Sequence, residues 1–307
     1  MTREPRRLPT FLIIGAAKSG TTSIARYLAH HPDVFMSPTE APAYFAFSGT
    51  PPRYAGPNAE PIADHVVWRL RDYVQLFSAR QHQRAAGEKS TQYLSSDVAP
   101  RNIHDAIPDA RLIAILRNPA DRAYSQFVHN LRSLREPLSD FRAALDAEPE
   151  RTRQNWSYNY FYRERGRYAN QLQRYYEFFP REQLLVLLYD DFVADPTRVM
   201  RAVCRHLDIS ERYSLPVTEH HNVSMGVPRH SLLHRVLTRD SATKSFLRRI
   251  LPEHLQQRAW RWIFRGNMAP LPQFDPDLRR QLLEESREDI RRLECLIDRD
   301  LSAWLTN

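Results

Sequence analysis

Residues Thr10 to His31 read TFLIIGAAKSGTTSIARYLAHH, and the order of residue types in this stretch decides the fold. Phe11, Leu12, Ile13 and Ile14 form a short apolar run suited to a buried parallel strand, Gly15 and Gly20 bracket a loop of small residues, and Thr21 onward reads as a helix. At the start of such a helix several backbone N–H groups have no intrahelical partner and the macrodipole adds partial positive charge, so an anion settles there. Lys18 adds a full charge inside the loop. The two glycines let backbone amides turn inward toward phosphate oxygens, which a side chain at those positions would obstruct.

The loop is similar to a P-loop but departs from the nucleoside triphosphatase pattern. Walker loops place a Lys immediately after the last glycine and follow it with the Ser or Thr that holds Mg²⁺. Here Gly20 is followed by Thr21 and Thr22, and Lys18 comes two residues before it. Such a loop can bind phosphate without a metal. Lys-Ser-Gly-Thr-Thr after a hydrophobic strand resembles the 5′-phosphosulfate loop of sulfotransferases that use 3′-phosphoadenosine 5′-phosphosulfate (PAPS). A glycine-rich turn that binds nothing is the plainer alternative.

A second motif lies one hundred residues on. Arg111 to Leu116 (RLIAIL) is another run suited to a buried parallel strand; it ends directly in Arg117-Asn118-Pro119, and Pro119 with Asp121 marks a helix start. Arg117 offers a planar fork of donors at the strand end, and Ser125, about two turns into the helix, adds a hydroxyl, so together they can hold a phosphate. Alone, such an Arg is as well explained by a surface ion pair. In context, the run from Leu116 to Ser125 (LRNPADRAYS) resembles the 3′-phosphate motif of the same PAPS-dependent family.

The similarity is greatest to the heparan sulfate sulfotransferases and their bacterial relatives, in particular to the sulfotransferase domain of the N-deacetylase/N-sulfotransferases. It covers Phe11 to Asn130 with specific motifs and Gly166 to Leu207 loosely. The resemblance implies that Lys18, Ser19, Gly20, Thr21 and Thr22 hold the 5′ end of PAPS, that Arg117 and Ser125 hold its 3′-phosphate, and that no metal is needed. It also implies an acceptor-side role for Lys89 in Glu88-Lys89-Ser90, and places His129 near the reacting centre. Read without the family, His129 is equally a packed or solvated helix residue.

One departure concerns the base that takes the acceptor's proton. Many members carry Lys-Glu-Pro-x-Tyr/Phe-Phe after the second strand, and an ungapped reading onto Pro42-Ala43-Tyr44-Phe45 puts Ala41 at the base position and Glu40 at the lysine position. Glu40 after a one-residue shift is the favoured base; Glu88, His129 or an acceptor acidic enough to need little help are alternatives, as is a binding protein that has lost its base. The cysteine-bounded basic loop of the animal enzymes is missing, and Arg229 in Met225-Gly226-Val227-Pro228-Arg229 is the candidate for its basic residue.

The rest of the chain sets the frame. Apolar runs at Asp33–Met36, Arg111–Leu116 and Gln183–Tyr189 alternate with helical patterns at Asp64–Arg84, Tyr168–Phe179 and Pro196–Leu207, predicting an α/β fold: a P-loop-like central parallel sheet flanked by helices on both faces. The Pro- and Gly-rich stretch Ser48–Pro61 reads as a mobile surface connection, and Trp156, Tyr158, Tyr160, Phe161 and Tyr162 as cleft lining or helix packing. Pro276 to Leu305 reads as a closing helix, with Trp304 and Leu305 docking back. No repeat or linker divides the 307 residues, so residues 1–307 are expected to form one domain.

The net charge of +8 suits an acidic ligand such as PAPS. The arginines are spread along the chain rather than gathered into a stripe, which argues against nucleic acid. Of the 44 basic Lys and Arg residues only Lys18, Lys89 and Lys244 are lysine, and two of these lie in the motifs above. No run approaches the roughly 20 apolar residues of a membrane span, and the N-terminus lacks a signal-peptide core, so a cytoplasmic protein is expected. Cys204 and Cys295 read as buried free thiols. The expected activity is sulfuryl transfer from PAPS to a hydroxyl or amine of a small-molecule or glycan acceptor, leaving 3′-phosphoadenosine 5′-phosphate (PAP). The rival is a P-loop nucleotide kinase or hydrolase, disfavoured by the displaced Lys and by the lack of an obvious Walker B aspartate.

Overall fold

The computed structural model describes residues 8–57, 59, 65–212, 227–228, 268–270 and 272–306. Its centre is a parallel sheet of β1 (Phe11–Gly15), β2 (Val34–Met36), β3 (Ala85–Lys89), β4 (Arg111–Leu116) and β5 (Leu184–Leu188), in the order β2-β3-β1-β4-β5. A short antiparallel pair, β6 (Val227–Pro228) with β7 (Met268–Ala269), lies apart from it. The helices that matter below are α1 (Thr21–Ala29), α2 (Tyr44–Phe47), α3 (Leu70–Gln75), α4 (Ala99–Ala106), α5 (Pro119–Arg132), α6 (Phe141–Asp146), α7 (Glu148–Arg153), α8 (Tyr168–Tyr176), α9 (Tyr189–Ala194), α10 (Pro196–His206), α11 (Pro276–Ile297) and α12 (Ser302–Leu305).

Successive residues of a strand point to opposite faces, and a parallel sheet covered on both sides is apolar at every position. In β1, Phe11 and Ile13 pack with Ile24 and Leu28 of α1 and with Met200 and Val203 of α10. Leu12 and Ile14 join Phe127 of α5, Leu172 of α8 and Leu282 of α11 on the other face. All four β1 residues are fully buried. The α/β fold with helices on both faces is therefore as the sequence predicts.

Strand β3 was not evident from its sequence, Ala-Ala-Gly-Glu-Lys, because its small residues carry little strand preference. The packing explains them: a Cβ on Gly87 would lie 2.4 Å from the Phe11 ring, so the ring of β1 takes the space that a side chain of β3 would need.

Three stretches differ from expectation. The helix read at Asp64–Arg84 shrinks to α3, because the Val67 amide donates to the Pro42 carbonyl (2.8 Å) and the Trp68 carbonyl accepts from Gly49 (2.8 Å), holding this segment extended against the preceding loop. Residues 53–57 of the Pro-rich connection are docked: Ala55 bridges to Trp156, the Trp156 ring covers Gly56, and Tyr160 donates to the Pro57 carbonyl. The closing helix stops at Ile297, where Asp298 turns left-handed (φ 51°), before α12 resumes.

Of the aromatic cluster, Tyr160 and Tyr162 are fully buried packing residues. Trp304 docks as expected, its indole donating to Asp190 at 2.8 Å. Cys204 is buried, but Cys295 is exposed, one helical step off the buried stripe that holds Leu293 and Ile290.

Candidate active site

Strand order builds the site. With β1 between β3 and β4, the loop after β1 is flanked by Lys89, the last residue of β3, and by Arg117, the first residue after β4. Gly20 caps α1 in a left-handed conformation (φ 95°), and no side chain takes over the cap. A Cβ there would stand 3.3 Å from the Tyr189 ring and 3.4 Å from that of Phe192, so glycine meets both a conformational and a packing requirement. The Gly20 carbonyl accepts from Ser23 and Ile24, leaving the amides before them to face whatever binds in the loop. Ser19 is fully buried, and among the described residues its Oγ has no hydrogen-bond partner.

Lys18 is left-handed as well (φ 67°), an uncommon conformation for a residue with a side chain. Its ammonium pKa is pulled down to about 8, chiefly by burial and then by the positive charges of Arg132, Arg117 and Lys89. The Arg117 guanidinium donates to the Lys18 carbonyl at 3.3 Å and lies over the Tyr189 ring at 4.8 Å. Four cations thus converge on one loop, and an anion would relieve their mutual repulsion.

Helix α5 carries Ser125 and His129 one turn apart on one face. Asn118 caps it, accepting from the amides of Ala120 (3.0 Å) and Asp121 (3.3 Å), so the capping side chain is Asn118, while Asp121 pairs with Arg279. The His129 pKa falls to about 4 through burial first and then through Lys18, Arg135 and Arg132. At neutral pH it is an uncharged ring beside the Lys18 ammonium.

Lys89 donates to Glu40 Oε1 at 2.7 Å and to Thr22 Oγ1 at 3.3 Å, joining the loop after β2 to the start of α1. The Lys89 hydrogen bond, with its charge and that of Arg26, holds the mostly exposed Glu40 carboxyl below its ordinary range. Ala41 and Ala43 are both left-handed (φ 52° and 56°), and this double turn sets Glu40 against Lys89 despite the displaced motif. Glu88 lies fully buried in the core among Tyr73, Ser90 and Tyr93.

The structure therefore brings Lys18, Ser19, Gly20, Thr21, Thr22, Lys89, Glu40 and Arg117 together, with His129 close enough to feel Lys18. Arg229 lies outside the described residues. Tyr189, which both backs Gly20 and stacks on Arg117, was missed, although an aromatic residue directly after the β5 run was the available signal. The acids that follow β5 are engaged elsewhere, Asp190 by Trp304 and Asp191 by Arg299 at 2.8 Å, and β5 is not adjacent to β1. Among the described residues no group of three or more His, Cys, Asp or Glu is placed to hold a metal, and no helix is long and apolar enough to cross a membrane.

The comparisons with known proteins bear on the same residues. The model of the sulfotransferase family matches residues 9–213. Over 216 residues, 68% of the chain, the sequence is 30% identical to the bifunctional heparan sulfate N-deacetylase/N-sulfotransferase 3 of Mus musculus, of which it spans 23%. It is 31% identical over 212 residues to enzyme 2 of the same series from Mus musculus, spanning 22% of that protein. The chain thus spans under a quarter of these curated relatives. A solved sulfotransferase from Alicyclobacillus acidocaldarius is 33% identical, with a TM-score of 0.77 and coverage of 97% of this chain and 98% of that one. With its central loop, its sheet order and these similarities in agreement, the chain belongs to the sulfotransferase family and is a sulfotransferase.

Proposed function

We propose that this enzyme uses PAPS as donor and moves its sulfuryl group to a hydroxyl or amine of a carbohydrate, lipid or small-metabolite acceptor. The observation that carries the reading is the contact of Arg117 with the carbonyl of Lys18: the two anion cradles adjoin, as one nucleotide bearing phosphate at both ends requires. The unpartnered buried Ser19 hydroxyl, the uncapped start of α1 and the crowded cations all fit such a ligand. When bound, PAPS supplies a sulfuryl group on a good leaving phosphate.

In this reading the amides and hydroxyls of Ser19 to Thr22 hold the 5′-phosphate, and Lys18 neutralises charge on the leaving oxygens. Arg117 and Ser125 hold the 3′-phosphate, with the Tyr189 ring supporting the guanidinium. Lys89, bridged between Thr22 and Glu40, stands where the sulfuryl group and the acceptor meet. Glu40 takes the acceptor's proton, and neutral His129 orients a hydrogen bond near Lys18. Residues 1–307 act as one sulfotransferase domain, in keeping with the near-complete overlap with the bacterial enzyme.

The test is incubation of the purified chain with ³⁵S-labelled PAPS and a metabolite extract of its host. A labelled product heavier by one sulfo group is expected; no labelled product and no release of PAP would contradict the proposal.

A further inference from the structure

Glu88 is a buried carboxylate that the chemistry above does not use. It is fully enclosed on β3, one residue before Lys89. Its Oε1 accepts from Tyr93 (2.6 Å) and Tyr73 (3.2 Å), and its Oε2 accepts from Ser90 (2.7 Å). Two of these hydroxyls also receive backbone amides from the turn that follows Glu40: Ala43 donates to Ser90 Oγ at 2.9 Å and Phe45 to the Tyr93 hydroxyl at 3.4 Å. The Tyr44 ring between them stacks on Tyr73 at 4.5 Å.

A hydroxyl has a single proton to donate. Because Ser90 and Tyr93 each take an amide proton from the turn, their own protons point to Glu88, and the carboxylate, which only accepts, fixes the direction of both relays. The turn needs this support, since left-handed Ala41 and Ala43 are strained unless the surroundings hold them.

We infer that Glu88 is a positioning residue: through Ser90 and Tyr93 its carboxylate holds the turn from Ala41 to Phe45 in the form that sets Glu40 against Lys89. The inference rests on the proposed roles of Glu40 and Lys89 at the reacting centre. Burial pushes the Glu88 pKa up to about 7 against the pull of its three hydroxyl donors and of Lys89; Tyr73, Tyr93 and Tyr175 are the other titratable groups around it. The ionised form that orients the relays is therefore lost as pH falls through that value, and order in the turn should be lost with it.

Glu88→Gln tests this at constant shape. Its amide group must donate toward an oxygen that already receives a backbone N–H, so one relay loses its direction. In the full chain, NMR hydrogen exchange at the Ala43 and Phe45 amides should speed up at least about tenfold, and kcat should fall by about tenfold or more, while KM for PAPS and affinity for PAP stay within about twofold. The wild type should show both effects together as pH drops below about 7, the first read as lost protection relative to the intrinsic amide rate, which itself slows as pH falls. Unchanged exchange and unchanged kcat would overturn the inference, as would a loss of PAP affinity in step with kcat. Should Glu88→Gln not fold, Ser90→Ala cuts only the Ala43 link and must speed exchange there; unchanged exchange again overturns it. Glu40→Gln separates the two levels: if it keeps full activity while Glu88→Gln loosens the turn, the role of Glu40 fails and the positioning stands. If Glu40→Gln abolishes transfer while Glu88→Gln changes nothing, the positioning fails and the proposed function stands.

Discussion

The guanidinium of Arg117 reaches the backbone carbonyl of Lys18 at 3.3 Å, across a sequence separation of 99 residues. That contact exists because β1 and β4 are hydrogen-bonded neighbours, so the two chain segments that leave them share one edge of the sheet. Arg117→Ala removes a charge-assisted donor to the 3′-phosphate, along with its bond to the Lys18 carbonyl. Affinity for PAP should fall about 10- to 100-fold while affinity for 5′-AMP, which lacks the second phosphate, changes little; isothermal titration of both nucleotides checks it.

Lys18 should matter more for turnover than for binding. By analogy with losing one donor to a developing oxyanion, Lys18→Ala should lower kcat on the order of 100-fold or more with a much smaller change in KM for PAPS. Near-normal turnover would remove Lys18 from the chemistry.

The protonation of Lys18 gives a prediction that needs no acceptor. In the free protein its pKa is about 8, below the 10.5 of an ordinary lysine, because burial and three neighbouring cations disfavour the charge. Between those two values the unfolded chain binds more protons than the folded one, so Lys18 makes stability rise with pH across that window. A bound dianion reverses the repulsion, so PAP binding at pH 9 should take up as much as about one proton. Calorimetry in buffers of different ionisation enthalpy reads this uptake, and Lys18→Met should abolish it.

Much of this site was legible because its parts are local. The loop at Lys18 and the strand-to-helix junction at Arg117 are each contained in a few consecutive residues, and apolar runs on both sides announce the strands that place them. What could not be read was cross-chain compensation. Gly87 and its alanine neighbours look unlike a strand until the Phe11 ring is seen to fill the space beside them. The helix expected across Asp64–Arg84 gives way to hydrogen bonds with Pro42 and Gly49, which lie far outside any local window. The position of Glu40 depends on two left-handed alanines, a conformation that nothing in the residue type predicts.

A purely structural prediction concerns the buried pair of Arg151 and Glu136. Arg151 pairs with Glu136 at 2.6 Å and 2.9 Å, Tyr162 donates to the same carboxylate at 2.5 Å, and both charged side chains are almost completely buried. Arg151→Met strands the Glu136 charge and should cost about 3–5 kcal/mol of stability in chemical denaturation, whereas replacing both partners with apolar residues should recover much of that loss.

The most direct test of the account is isothermal titration of PAP against the wild-type chain, Ser125→Ala, Lys18→Ala and the double variant. If one nucleotide spans both cradles, PAP binds the wild type with one-to-one stoichiometry and more tightly than 5′-AMP, Ser125→Ala narrows that preference, and Lys18→Ala weakens both ligands. Equal affinity for PAP and 5′-AMP in the wild type, or two independent anion sites each unaffected by the other's variant, would contradict it.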